Sequence, residues 1–488
     1  MDDARLRPTR LTEPVIVGIV YVAAMFVNIL DTTIVNVALP TLATQFKVPV
    51  ASSEWVVTGY LLSLAVWIPA SGWIGDKFGT KRIFLVALAL FTTASVLCGL
   101  ATSLPELIVF RIVQGVGGGM LTPIGLAMLY RAFPPERRAA ASRILIIPTA
   151  LAPAMGPVIG GLLIDQLSWR WVFFVNVPIG IAAFVFGALK LREYREPTAY
   201  RFDFPGFLLA AAGLGLLMYA LSEGPADGWL SPAVVTTAGI GLVSMAGLVF
   251  VELRSSRPML QLRLFTNRLF ARTNLTSMFA TAAFTGTLFI VPIMLQRARG
   301  ASAFESGLTT FPEAIGVLSV SQIAARLYPR LGPSRLMTAG MVAMSAVLFV
   351  FSWVDASTSE WSIRGLVYLL GASYSFMIIA LQASSFAGIS HGDTARASAL
   401  YNTQRQVASA LGVAILASGL AAFLPHGQAT SAQTFLAYQR VFMIAAFVAA
   451  LGAVVSRFVP DKDAAATMVP RVRRGARAAH STTAQAVE

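Results

Sequence analysis

Runs of about twenty apolar residues recur along the chain, separated by short segments that hold most of its charge. A run of that length crosses a ~30 Å hydrocarbon layer as a helix, since each residue adds about 1.5 Å of rise. The pattern predicts spans at 15–39, 53–72, 83–101, 105–129, 141–164, 171–190, 204–222, 234–253, 270–295, 304–325, 334–354, 362–388, 402–424 and 437–458, fourteen in all. The runs are continuous rather than alternating in polarity, which excludes a transmembrane β-barrel. The first run, Pro14 to Leu39, is too long for a signal-peptide core and reads as a retained span.

Composition agrees with this pattern. Hydrophobic residues make up 56% of the 488 and charged residues 12%, and the mean hydropathy is +0.71. A soluble domain carries about 25% charged residues. Half that fraction cannot cover a core of this size, so a soluble enzyme, a secreted disulfide scaffold and a disordered chain are excluded. The expected location is the cytoplasmic membrane, as a multi-pass protein.

The formal net charge is +14, and its placement matters more than its size. The N-terminus, the even-numbered loops and the C-terminal tail hold 29 Lys and Arg, the opposite side holds 5, and Arg111, Arg405 and Arg440 fall within spans. Positive residues collect on the cytoplasmic side, so both termini are cytoplasmic. The excess charge reports topology, and no nucleic-acid partner is expected. After Pro460 the chain reads as a disordered basic tail, either solvated or touching anionic lipid through Arg471, Arg473, Arg474 and Arg477.

Chemistry by cofactor is not expected. The single cysteine, Cys98, lies in an apolar run and reads as a small buried residue, and His391, His426 and His480 are not spaced as metal ligands. The run GVGGG in span 4 lacks the Lys-Ser/Thr ending of a phosphate loop, so ATP is not the expected energy source.

One internal match stands out. Residues 72–83 and 325–336 align with Lys77 on Arg330, Gly79 on Gly332 and Arg82 on Arg335; a weaker match pairs 135–142 with 392–399. Spans 1–6 and 9–14 read as two copies of one unit around a cavity, a common build for secondary transporters. The expected organisation is a cytoplasmic N-terminus (1–14), a six-helix bundle (15–190), a linker region with two further spans (191–269), a second six-helix bundle (270–458) and the tail (459–488).

Five stretches carry a family resemblance. They are Gly72-Trp-Ile-Gly-Asp76-Lys77-Phe-Gly79-Thr-Lys81-Arg82 between spans 2 and 3, Arg111-Ile-Val-Gln114-Gly-Val-Gly-Gly-Gly119 in span 4, and Gly156-Pro157-Val-Ile-Gly-Gly161 in span 5. Leu30-Asp31-Thr-Thr-Ile-Val-Asn36-Val-Ala-Leu-Pro40 in span 1 and Trp169-Arg-Trp-Val-Phe-Phe-Val-Asn176-Val-Pro-Ile-Gly180 before span 6 complete the set. With these the chain resembles the major facilitator superfamily, and within it the fourteen-span drug:proton antiporters of the EmrB/QacA type. The resemblance implies an all-α fold of two pseudo-symmetric six-helix bundles plus two extra central helices. It implies proton-driven export of small amphipathic or cationic compounds by alternating access. Export of one dedicated metabolite (an antibiotic, lipid or siderophore) is the alternative, and a membrane enzyme or sensor has no catalytic cluster to support it. The expected partners are small molecules, protons and lipid, with a monomer as the working unit.

The candidate residues follow from depth and charge. Asp31 lies about 24 Å along span 1 and Arg111 about 9 Å into span 4 from the other side, so the two share a depth and face the cavity of the first half. Coupled, they would form a proton switch; the alternative is a static packing pair. Glu313 in span 10 is the deep acid of the second half and would take a proton, hold a cationic substrate, or make a single interhelical hydrogen bond. Asn36 and Gln114 read as packing or polar-network residues, with the substrate cavity as their alternative place, and Phe26, Tyr60, Phe174, Phe284, Phe289, Phe376 and Met377 are candidates for its lining or for packing. The resemblance implies a cytoplasmic gate at Asp76 with Lys77, Lys81 and Arg82. The second loop copy has Pro329 in place of Asp76, so the acidic role is expected in the first copy alone. Gly156 and Pro157 would let helices approach and bend. Spans 7 and 8 are left as plug, partner site or spacer.

Overall fold

The computed structural model describes residues 12–132, 152–153, 155–195, 202–255, 260–385, 387, 389, 394–424 and 431–468, and every regular element among them is helical. We label α1 Glu13–Phe46, α2 Trp55–Phe78, α3 Thr80–Leu100, α4 Leu104–Ala132, α5 155–166, α6 Asn176–Lys190, α7 Phe204–Asp227 and α8 Pro232–Arg254. The remainder are α9 Arg268–Arg299, α10 Ala303–Thr310, α11 Pro312–Phe351, α12 Glu360–Ser384, α13 Thr394–Phe423 and α14 Ser431–Ser456. Each of the fourteen expected spans falls on described helix, in whole or in part. Among the described residues ten helices are long and apolar enough to cross a membrane; one of them, Ala303–Phe351, carries two of the spans, and Trp55–Ile68 and Phe204–Ala220 are shorter apolar helices. The fifth span is described only from residue 152 onward, and the 135–142 loop match lies outside the described residues.

Local signals set the helix starts. Asn267 opens α9 by accepting the amides of Leu269 and Phe270 at 3.0 and 3.1 Å, a side-chain cap for N–H groups that lack a helical partner. Ser302 and Glu305 form a reciprocal capping box at the start of α10.

The helices group as the internal repeat predicts. In the first half α4 packs on α1, α2 and α3, and α6 packs on α1 and α3. In the second half α9 packs on α12, α13 and α14, and α11 on α12 and α14. The two groups meet where α2 lies along α13 and where α1 touches α9 and α10. The pair α7 and α8 forms its own hairpin, and α7 rests against both α2 and α13. The two extra spans therefore cover one seam between the halves from the side.

At the outer ends the halves are in contact. Gln296 Nε2 of α9 donates to the Val37 carbonyl of α1 at 3.2 Å, and the Phe304 amide of α10 donates to Asp165 Oδ2 of α5 at 2.8 Å. Between these bonds the backbones nearly touch. A Cβ at Gly307 would strike the Pro157 carbonyl, and one at Gly161 would strike Ala303 and Phe304. Only glycine permits that separation.

The loop repeat is visible in the backbone. Gly79 has φ +102° and Gly332 has φ +76°, a left-handed region costly for residues with a Cβ. Each glycine turns the chain into a new helix, α3 in one case and the second arm of α11 in the other. Glu193, just past α6, accepts the Lys81 and Arg82 amides at 3.0 and 3.1 Å. Asp461, just past α14, accepts the Ser334 amide at 2.7 Å. Each copy therefore has an acid at its turn, separate from the role expected of Asp76. Each acid comes from a distant segment, which a comparison confined to the loops does not reach.

Candidate functional site

Asp31 and Arg111 are both 0% exposed and in direct contact. Arg111 Nη1 lies 2.5 Å from Asp31 Oδ2 and 2.8 Å from Gln114 Oε1, while Nε donates to the Val56 carbonyl at 3.0 Å. The guanidinium sits over the Tyr60 ring, 4.0 Å from its centroid. Asp31 Oδ1 accepts from Gln114 Nε2 at 3.0 Å and from Asn176 Nδ2 at 2.9 Å. Both amides also donate to Ser95 Oγ, at 3.2 and 3.1 Å. Helices α1, α2, α3, α4 and α6 thus converge on one charge pair. A buried pair tolerates desolvation only when its remaining donors and acceptors are also satisfied, and here amides and a ring supply that satisfaction.

This arrangement places four of the expected residues. Gln114 is 0% exposed and belongs to the Asp31 network rather than to a substrate cavity; it stands three residues after Arg111, one helical turn away on the same face. Tyr60 is the platform under Arg111 rather than free lining. The charge pair itself is enclosed within the first half. Asn176 and Ser95 were missed as site residues. Asn176 stands at the start of α6, in the stretch that carried the family resemblance, and a polar residue at a helix start reads as a cap. Cys98 is buried beside Gln114, with Sγ 3.6 Å from Oε1.

The cavity between the halves is small and differently furnished. Glu313, the second residue of α11, lines it together with Asn36 of α1, Pro157 of α5, Pro292 of α9 and Thr310 of α10. Glu313 is 5% exposed, and among the described residues its carboxyl has no ion pair. Asn36 Oδ1 is buried with no hydrogen-bond partner. Among the described residues, a carboxyl without an ion pair and an amide oxygen without a hydrogen-bond partner thus line one space. Phe284 stacks on Tyr374, with centroids 3.9 Å apart and planes 6° from parallel. Phe289 and Met377 are 0% exposed in the core of the second half. Phe174 packs against Gly99, and Phe26 and Phe376 are half-buried.

At the cytoplasmic end of α2, Lys77 Nζ lies 4.5 Å from the Trp73 ring centroid, and the Lys77 carbonyl accepts Arg195 Nε at 2.9 Å. Lys81 Nζ donates to the Ala188 and Leu191 carbonyls at 2.9 and 2.7 Å, closing the C-terminus of α6. Arg82 is exposed and is held through its amide. The Asp76 side chain lies outside the described part of the structure. Gly156 packs on Thr33 and Ile34 of α1, and the Pro157 carbonyl faces Gly307. Pro157 therefore stands at the junction of the halves, and Gly156 beside it packs within the first half.

Comparison with known proteins agrees with this architecture. Residues 21–413 match the model of the Major Facilitator Superfamily. A "Multidrug resistance protein B homolog" of Mycobacterium tuberculosis is 33% identical over 404 residues, covering 82% of this chain and 74% of that protein. The "Putative multidrug resistance protein MdtD" of Escherichia coli O157:H7 is 31% identical over 454 residues, covering 92% and 96%. Among solved structures, a bacterial homolog of the human lysosomal transporter Spinster, in an inward-facing and unoccupied conformation, superposes with a TM-score of 0.63 at 15% identity, covering 93% of this chain and 98% of that one.

Proposed function

The chain belongs to the major facilitator superfamily, and from that premise we propose that it is a proton-coupled multidrug exporter of the cytoplasmic membrane. It takes small amphipathic or cationic compounds from the cytoplasmic side and releases them outside by alternating access, as a monomer, without ATP and without catalysis. The names of its relatives support the multidrug reading.

The observation that carries the proposal is Glu313. Among the described residues its carboxyl has no ion pair, and it lines a cavity built from both halves, where closing one end and opening the other changes which side it faces. A carboxylate there attracts a cation, and a proton arriving from outside competes with that cation for the same oxygen atoms. The Asp31–Arg111 pair supplies the second element. Protonation of Asp31 would leave Arg111 as an uncompensated charge inside the first half, an unfavourable state that helix movement relieves. In this scheme Glu313 exchanges cargo for a proton, and the Asp31 network makes the conformation sensitive to protonation.

The test is ethidium efflux from cells lacking their own pumps. The intact protein, Asp31→Asn and Glu313→Gln are compared at matched expression, with and without a protonophore. Energy-dependent efflux that disappears in both variants and on uncoupling is the expected result. Equal ethidium accumulation with and without the intact protein would overturn broad-specificity export and leave a dedicated metabolite as the cargo.

A further inference from the structure

A groove of about 590 Å³ runs along the second arm of α11 and ends at Arg335 and Arg457. Arg335, Ala339, Val342 and Ala346 line it at spacings of four, three and four, so they share one face of the helix. Val342 is 54% exposed, and Arg335, Ala339 and Ala346 are exposed as well. The hollow comes from small side chains at Ala339, Ala343 and Ala346 on a helix whose outer face meets lipid. From Arg335 to Ala346 it runs about 16 Å, close to half of a ~30 Å hydrocarbon layer. Its charged end lies at the cytoplasmic ends of two helices, since Arg335 follows the Gly332 turn and Arg457 follows the last residue of α14. Those ends are fixed against each other. Ser334 Oγ donates to the Ser456 and Arg457 carbonyls at 3.2 Å each, and the Thr338 and Ser456 hydroxyls meet at 2.9 Å. Among the described residues neither guanidinium has an ion pair; Asp461, the acid at this turn, is taken by the Ser334 amide. In the first half, by contrast, Arg192 just past α6 pairs with Glu13 at 3.6 Å.

We propose that this groove holds one anionic phospholipid of the cytoplasmic leaflet, with its phosphate between Arg335 and Arg457 and one acyl chain along Ala339, Ala343 and Ala346. The charge and the shape both fit this occupant. A guanidinium presents a planar fork of N–H groups matched to phosphate oxygens, and anionic lipids gather basic side chains at the cytoplasmic surface. A zwitterionic lipid offers the same phosphate, but its ammonium group meets two guanidiniums of like charge. The apolar part of the groove begins one helical turn above Arg335, which is where an acyl chain leaves its headgroup. A lipid seated there ties the start of the second arm of α11 to the end of α14. The site lies on the outside of the second half, so it stands whatever compound is exported.

Purified full-length protein in detergent is titrated with phosphatidylglycerol or with phosphatidylcholine of the same acyl chains. Native mass spectrometry reads the occupancy of the first bound lipid and the oligomeric state together. Phosphatidylglycerol is expected to bind the intact protein about thirtyfold more tightly than phosphatidylcholine. Arg335→Gln and Arg457→Gln are each expected to weaken phosphatidylglycerol about fivefold, and the double variant to bring the two lipids within about twofold of each other. Arg254→Gln removes one exposed charge from the cytoplasmic end of α8 and is expected to change either lipid less than about twofold. Ala339→Leu keeps both arginines and fills the groove; it is expected to weaken both lipids about threefold and leave their ratio unchanged. Equal affinity for the two lipids, a loss in Arg254→Gln as large as in Arg335→Gln, or unchanged binding in Ala339→Leu overturns the site. A dimer that disappears in Ala339→Leu assigns the groove to a second copy of the chain and overturns the lipid.

Discussion

Glu193 and Asp461 occupy matching positions in the two halves. Each follows the last helix of its half, and each accepts backbone amides at the start of a helix that begins after a left-handed glycine. The internal repeat therefore extends beyond the loops to the segments that cap them.

Removing these caps has a graded effect. Asp461→Ala is expected to cost about 1 kcal/mol, read as a lowered melting temperature in detergent. Glu193→Ala is expected to cost less, since its carboxylate is exposed. Gly332→Ala adds backbone strain to crowding against Asp461 and is expected to cost about 1–2 kcal/mol. A Gly332→Ala variant as stable as the intact protein would refute the turn.

The Asp31–Arg111 pair makes a cycle measurable. Asp31→Asn alone leaves a buried guanidinium uncompensated and is expected to destabilise by about 3–5 kcal/mol. Asp31→Asn with Arg111→Gln removes both charges and is expected to recover most of that loss. Thermal unfolding of the two single variants and the double variant gives the coupling. Additive losses would mean that the pair does not act as one unit.

Glu313 predicts the opposite balance. It has no ion pair to abandon among the described residues, so Glu313→Gln is expected to leave stability within about 0.5 kcal/mol while efflux of a cationic dye falls about tenfold. Melting and efflux measured on the same preparation separate the two effects. A large drop in stability with intact efflux would reassign Glu313 to packing.

The outer seam gives a fourth prediction. Gly307→Val cannot coexist with the Pro157 carbonyl at its present distance, so the outer ends must separate. In a Cys98→Ser background, a cysteine placed at Thr310 is expected to react with an impermeant thiol reagent from outside several-fold faster when Gly307→Val is also present. Unchanged labelling would mean that the seam relaxes elsewhere.

Depth was legible in the sequence because helical rise is regular. Asp31 and Arg111 could be assigned to one level from their positions in two spans, and the structure joins them. Which face each residue presents was less legible. Gln114 has the polarity of a cavity residue as well as of a network residue, and only the packing of α3 and α6 against α4 decides for Asp31. Asn176 reaches Asp31 from 145 residues away, a separation over which spacing carries no information. The partner of the second loop was hidden likewise, since Asp461 lies 127 residues from Ser334.

Besides the hydrogen bonds to Asp165 and Val37, neither of which pairs opposite charges, the outer closure rests on glycine against carbonyl, at Gly307 with Pro157 and Gly161 with Ala303. Contacts of that kind have no net charge for dissolved ions to screen, whereas exposed ion pairs weaken once the Debye length falls to about 8 Å at 0.15 M salt. A cell moving from fresh water to brine would change the osmotic load on this membrane and leave the strength of the closure nearly constant. Salinity outside the cell should therefore shift the pump's working cycle far less than it would shift one latched by opposite charges.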